Sequence, residues 1–374
     1  MRKIIIIGAG LAGLALAHGL TAKGFDAQVY ERDAYPGARP QGYRIQLDAP
    51  GLDGLQQCLP ADLYGIALAT AGSPPPTATV RNANLEVLST TRRERAQAFD
   101  RSTLRRVLLR GLEENVHYGA TLIDYREQGD TVTARFADGR TVVGDVLIGA
   151  DGVGSAVRRT LLPNAVVEDA GLRLIYGKIP IDAASSQRIP AWIFDNIFNV
   201  VTGGPGMPHL GAGPVLLGRH RSVDPVDDYL AVLVGAPVHH PLLPADFGRL
   251  DPPDLHALAG RLIDDNWAPA LSDMLTLWQT ETLIPLRIST AAPVPPWQPG
   301  RVTLMGDAIH AMSPALAMGA NTALRDAGLL THALSSSPSD IVDALSAYHH
   351  EMADYAFTQV DASQRIGRAR VGQA

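Results

Sequence analysis

The 374-residue chain has one cysteine, Cys58, and three lysines, Lys3, Lys23 and Lys178, among 32 basic residues. A lone cysteine excludes an intramolecular disulfide framework and points to a reducing, cytoplasmic setting. Charge is scarce as well: 19% of residues are charged and the formal net charge is −6. No basic cluster interleaved with aromatics is present, so no nucleic-acid partner is expected. The 11 histidines show no H-E-x-x-H or comparable ligand spacing, so no metal site is expected. G-x-S-x-G is missing too, which removes the common hydrolase nucleophile turn.

One stretch, Ile4 to Ala22, carries no formal charge and follows the basic start Met1-Arg2-Lys3. Composition alone would allow a signal peptide or a membrane anchor there. Against that, Gly8, Gly10, Gly13 and Gly19 dilute the run and His18 interrupts it. Four isoleucines ending at a glycine-rich turn read as a buried parallel strand, and no membrane span is expected. The length suits two domains or one large composite. A hydrophobic content of 46% excludes disorder and suits a core that needs neither disulfide nor metal.

Along the chain, Ile4–Ile7 reads as a strand, Leu11–Lys23 as a helix closed by Gly24, and Ala27–Glu31 as a second strand. Strand, glycine turn, helix and strand make a βαβ unit and imply a parallel sheet. Beyond Pro74-Pro75-Pro76 come short extended segments at Thr79–Arg81 and Leu85–Ser89, a helix over Ser102–Glu114, and strands at Thr131–Phe136 and Asp145–Ile148. From about Gly171 to Pro285, extended segments such as Leu174–Pro180, Ala191–Val201 and Val215–Arg221 suggest antiparallel sheet, closed by a helical stretch Pro253–Trp278. A strand Val302–Met305, a helix Asn321–Leu334 and a last amphipathic helix Ser339–Arg365 follow.

The motif Gly8-Ala9-Gly10-Leu11-Ala12-Gly13 fits G-x-G-x-x-G between a strand and a helix. Its first glycine permits the tight turn, the second a close approach to pyrophosphate, and the third close helix–strand packing. Glu31 ends the next strand, placed to accept hydrogen bonds from an adenosine ribose, with Arg32 beside it. The acid disfavours a 2′-phosphate, so NAD and FAD both remain open on these residues.

Two further segments carry more. Gly300-Arg-Val-Thr-Leu-Met-Gly-Asp307-Ala-Ile-His310-Ala-Met-Ser-Pro314 runs into Ala315-Leu-Ala-Met-Gly319-Ala320-Asn321 and on to Asp326. Upstream stands Asp145-Val-Leu-Ile-Gly-Ala-Asp151-Gly152-Val-Gly-Ser155-Ala-Val-Arg158. Together with the glycine fingerprint, these closely resemble the single-component FAD-dependent aromatic hydroxylases, the group A flavoprotein monooxygenases built like para-hydroxybenzoate hydroxylase, from the N-terminus to about residue 360.

The resemblance implies FAD as cofactor, NADH or NADPH as co-substrate, and O2 as oxidant. It implies that Asp307 holds the ribityl chain and that the turn through Pro314, Gly319, Ala320 and Asn321 aims a helix N-terminus at the flavin's pyrimidine edge, which suits reduced flavin's negative charge. The family's first loop glycine is Ala317 here. Asp151-Gly152 matches a segment associated with FAD and reduced nicotinamide, although Asp151 also reads as a cap for a helix over Ser155–Leu161. Arg101 matches the arginine that opens the family's second long helix. Arg44, Gln46 and, through its backbone, Leu122 are further cofactor candidates. His310 reads either as a general base or as a histidine packed near the cofactor. Trp192, Phe194 and Phe198 are substrate-pocket candidates, with plain core packing the alternative.

The expected fold is α/β: a Rossmann-like FAD-binding domain from residues 1–72, 99–170 and 286–338, an inserted, mainly antiparallel substrate domain from 73–98 and 171–285, and a C-terminal helix, 339–374. The expected activity is a monooxygenase in which oxygen adds at flavin C4a and passes to an aromatic or polyketide-like substrate. No acid–base residue is assigned, because the oxygen chemistry is the flavin's. The extra C-terminal domain of some longer relatives is expected to be absent. A reductase of the same fold stays open, distinguished only by substrate. A halogenase needs a lysine in the N-terminal third between flavin and substrate, which Lys3, Lys23 and Lys178 do not offer.

Overall fold

The computed structural model describes residues 1–374 except 39–41, 219, 221, 225, 296, 338–339 and 373–374. The isoleucine run is the strand Lys3–Ile7, the centre of a five-stranded parallel sheet. The strand order is Val302–Leu304, Val146–Gly149, Lys3–Ile7, Asp26–Tyr30, Val116–His117. Ile4, Ile5 and Ile6 are fully buried because both faces of this sheet are covered, which is why the run is continuous and not alternating. The helices Leu11–Ala22, Ala49–Cys58, Gly319–Ser336 and Ile341–Val371 pack together on one side. An antiparallel sheet of Thr141–Gly144, Thr131–Phe136 and Leu122–Gln128 contributes Val132, Ala134 and Phe136 to the same core.

A second core lies under a seven-stranded sheet ordered Ile284–Ala291, Val167–Pro180, Tyr229–Pro237, His209–Val215, Phe198–Thr202, Thr77–Asn82, Val87–Arg92. Its pairings are antiparallel except for Phe198–Thr202 with Thr77–Asn82, which is parallel. Ile175, Ile179, Leu210, Val232 and Val234 bury one face against the helices Pro252–Leu262 and Pro269–Leu275. Period-two alternation sends Leu174, Tyr176, Lys178, His209 and Leu233 to the opposite face. A two-stranded ribbon, Arg44–Leu47 with Gln97–Asp100, runs between the two regions.

Local chemistry overrides the sequence pattern at several places. The extended segment expected at Ala191–Val201 is instead a 3-10 turn, Ala191–Ile193, with the strand starting only at Phe198. Asn196 and Asn199 donate from Nδ2 to the carbonyls of Trp192 and Ile193, at 3.2 and 3.0 Å, and so satisfy a turn and not a ladder. The strand expected at Val215–Arg221 lies earlier, at His209–Val215, after which Leu217 N–H turns to Asp228 Oδ1 at 2.8 Å; residues 219 and 221 lie outside the described ones. The helical stretch Pro253–Trp278 is two helices, because the Asp264 side chain caps a turn at Asn266 and Pro269 can only begin a new helix. The helix expected over Ser102–Glu114 spans Arg101–Leu109 and stops as the chain turns through Gly111 at φ +76°. The last helix is Ile341–Val371, and the expected start at Ser339 lies outside the described residues.

Candidate functional site

The glycine loop is built as its spacing demands. Gly8 has φ +110°, and a Cβ there would stand 2.4 Å from the carbonyl oxygen of Ala150. A Cβ on Gly13 would stand 2.2 Å from the carbonyl oxygen of Gly8, so only glycine lets this helix and strand meet. A Cβ on Gly10 would meet nothing within 4 Å, which leaves the backbone open to an approaching group. Gly10 caps the helix Leu11–Ala22 without a side-chain acceptor and no acid sits in the first turn, where Ala12 lies. The free N–H groups and the helix dipole there favour an anion.

Glu31 is buried and braces this loop. Its Oε2 accepts from Ala9 N–H at 2.8 Å and its Oε1 from Asp33 N–H at 3.0 Å, and each oxygen keeps a further lone pair for a hydroxyl. Arg32 points to solvent. Arg105, not singled out in the sequence, donates from Nε to the carbonyl of Ala9 at 2.9 Å, and its buried Nη2 has no partner. An orphaned guanidinium nitrogen beside an open glycine loop fits a phosphate-bearing ligand. The available signal was its position four residues after Arg101, on the same helix face.

The second half of the site follows the strand Val302–Leu304. Gly306, at φ +60°, opens the short helix Asp307–His310, and the turn Pro314–Leu316 leads through Ala317, at φ +56°, to the helix Gly319–Ser336. Asp307 is exposed and lines a cavity of about 240 Å³ with Val153, Arg287, Ile288, Ser289, Ala311 and Met312. Pro314 is exposed, and Gly319 and Ala320 are half-buried. Asn321 is fully buried. Its Oδ1 accepts from Asp48 N–H at 2.7 Å, and its Nδ2 donates to the carbonyls of Gln46 at 3.1 Å and Ala317 at 2.9 Å. It thereby ties the segment 46–48 to the 317 turn.

Asp151 caps the helix Ala156–Leu161 from outside, its Oδ2 accepting from Ala156 N–H at 2.6 Å, while Ser155 caps Arg158 N–H. Its Oδ1 is buried without a partner, so the structural role leaves one acceptor over. Gly152 follows in the left-handed region at φ +75°. Arg158 latches this segment to the Asp307 turn, donating to the carbonyls of Ala308 at 2.6 Å and Val153 at 2.7 Å. Those partners are 150 and 5 positions away, so only the first contact was hidden from the sequence.

Arg101 begins its helix beside these groups. Burial pushes its pKa down, while the Asp307 carboxylate opposes that shift and Arg105 assists it. Gln46 is buried and donates from Nε2 to Asp48 Oδ1 at 2.8 Å. Arg44 donates from Nη2 to the carbonyl of Ile197 at 2.7 Å and lies over the Phe198 ring. Leu122 is buried at the start of its strand, two residues after Ala120, whose N–H donates to the carbonyl of Glu31 at 2.8 Å. Phe198 joins Arg44 on the inner face of the seven-stranded sheet. Trp192 and Phe194 do not: both pack against the second core, with Trp192 under Arg81. His310 is fully buried against Asp326 and does not open to solvent, which matches the packed-histidine reading. Among the described residues no group of three or more His, Cys, Asp or Glu could hold a metal ion, and no helix is long and apolar enough to cross a membrane.

Residues 1–205 and 283–363 match the model of the family described as "FAD binding domain". A dual O-methyltransferase/FAD-dependent monooxygenase of Cercospora nicotianae is 30% identical over 99% of this chain and 46% of its own length. Zeaxanthin epoxidase of Oryza sativa is 26% identical over 93% of this chain and 52% of its own. The chain thus spans about half the length of these curated relatives. Among solved structures, a protein from Photorhabdus luminescens described as an FAD-containing monooxygenase superposes with TM-score 0.87 at 30% identity, covering 99% of both chains. HpxO of Klebsiella pneumoniae, solved with FAD and uric acid, gives 0.81 at 25% identity over 98% of this chain and 88% of that one. With the open glycine loop, the braced Glu31 and the Asp307 turn already in place, the chain belongs to the FAD-binding domain family of flavoproteins, and its cofactor is FAD.

Proposed function

We propose that the protein is a monooxygenase that uses NADH or NADPH and O2 to hydroxylate or epoxidise an aromatic or polyketide-like small molecule. The observation that carries this reading is the cavity beside Asp307: its walls come from the Asp307 turn, the Val153 loop and the strand Ile284–Ala291, so it opens where cofactor turn and large sheet meet. Such junctions are the usual place for small-molecule sites.

In this reading the glycine loop, Glu31 and Arg105 hold the adenosine diphosphate half, and Asp307, Asp151-Gly152, Arg101 and the Gly319–Asn321 helix start hold the flavin half. Bound FAD would accept a hydride from the nicotinamide and activate oxygen. The chain orients the substrate and keeps water out. The inner face of the seven-stranded sheet, with Leu174, Leu233, Phe198 and Ile288, supplies the apolar wall. The domain division is kept as part of this proposal: two separate cores support it, the C-terminal helix packs on the first of them, and the strand Ile284–Ala291 crosses the 285/286 boundary into the seven-stranded sheet. A halogenase finds no support, because Lys178 is held between the Tyr43 and Tyr229 rings, 3.9 Å from Asp100 Oδ2.

The test is nicotinamide oxidation and oxygen uptake by the FAD-loaded chain across a panel of hydroxyaromatic compounds. Stimulated uptake coupled to an oxygenated product is expected. Turnover that continues without oxygen would replace this reading with a reductase.

A further inference from the structure

Behind the Asp307 turn lies a buried carboxylate that the chemistry above does not use. Asp326, on the helix Gly319–Ser336, is fully buried. Its Oδ2 accepts from Gly306 N–H at 2.7 Å and lies 2.6 Å from His310 Nε2. Its Oδ1 accepts from the hydroxyl of Tyr355, which comes from the helix Ile341–Val371. Gly306 precedes Asp307 and His310 ends the same short helix, so the carboxylate grips the turn on both sides of Asp307. The Tyr355 ring is in turn covered by the Arg325 guanidinium, 3.8 Å from the ring centroid.

A buried carboxylate is tolerated only when its oxygens are hydrogen-bonded, and here the partners come from two separate elements besides its own helix. Burial alone would lower the His310 pKa, but Asp326 raises it on balance, which favours a charge-assisted contact.

We propose that Asp326 and His310 are positioning residues for the cofactor, and that Tyr355 makes the C-terminal helix part of the same fixture. They set the backbone on both sides of Asp307 and so govern affinity for the flavin half of FAD. The adenosine diphosphate half, held at the glycine loop, is outside their reach. The proposal rests on FAD as cofactor and not on any substrate or on oxygen chemistry.

Dissociation constants for FAD and for ADP, measured on the full chain freed of flavin, test it. Asp326→Asn should weaken FAD at least tenfold, about 1.4 kcal/mol, as expected for a disturbed buried hydrogen bond, while ADP binding stays within about twofold of wild type. Tyr355→Phe, which deletes one hydroxyl from a half-buried side chain and keeps the ring, should weaken FAD about threefold with the same ADP selectivity. A parallel loss of FAD and ADP affinity would reduce the network to general support of the fold and overturn the proposal. Unchanged FAD affinity in both variants would overturn it as well.

Discussion

Ala317 stands where the family motif carries glycine, and its φ of +56° places it in the left-handed region. An L-residue with a Cβ is strained there by roughly 1–2 kcal/mol, part of which glycine gives back through its freer unfolded chain. Ala317→Gly should therefore raise stability by roughly 0.5–1 kcal/mol in urea titration, and a loss of stability would show that the turn is not strained. Asp307 stands exposed in the cavity wall, so its removal should cost binding and not folding. Asp307→Ala should weaken FAD at least tenfold, about 1.4 kcal/mol, with the unfolding midpoint of the flavin-free chain unchanged; unaltered FAD affinity would remove Asp307 from the site. Residues of this kind were legible because the chemistry is local: glycines at fixed spacing and an acid after a buried strand declare themselves over a few positions. Arg105 and Arg158 did not, since their partners, Ala9 and Ala308, lie 96 and 150 positions away.

Strands and helices were legible wherever one period persisted. The isoleucine run, the apolar segment Val146–Gly149 and the helix after Gly319 needed nothing beyond their own pattern. Ala191–Val201 misled because its alternating aromatics look like a strand, whereas two asparagine side chains hold the backbone in a turn and leave Trp192 and Phe194 on the outer core. The strand His209–Val215 carries its own consequence. Burial pushes the His209 pKa down from 6.5 to about 4, and its Nδ1 has no partner. The folded strand keeps this imidazole neutral while the unfolded chain takes up a proton below pH 6.5, so stability is full above that pH and falls as pH drops toward 4. The loss from this one group reaches about 3 kcal/mol across the window, and about 2 kcal/mol by pH 5. Urea midpoints of wild type and His209→Gln at pH 7 and pH 5 check this: the variant should lose less stability on acidification, and equal slopes would contradict it.

At the scale of the whole molecule, the chain buries two cores, one around the parallel sheet and one under the seven-stranded sheet, and the cavity beside Asp307 lies where elements of both meet. Fold class was legible because the motifs that build the first core occur in order along most of the chain. The shape of the wall proposed for the substrate was not, because it depends on which face each strand of the large sheet turns inward. That choice separates Phe198 from Trp192, six positions earlier. The scarcity of lysine acquires a structural meaning at this scale, since Lys178 serves the contact between sheet and cofactor region and not the cavity. The most direct measurement is the fate of oxygen: the FAD-loaded chain is supplied with NADPH or NADH, a hydroxyaromatic substrate found in the panel, and 18O2. A monooxygenase leaves one labelled oxygen atom in the organic product for each nicotinamide oxidised in coupled turnover, whereas a reduced product without label would contradict the account.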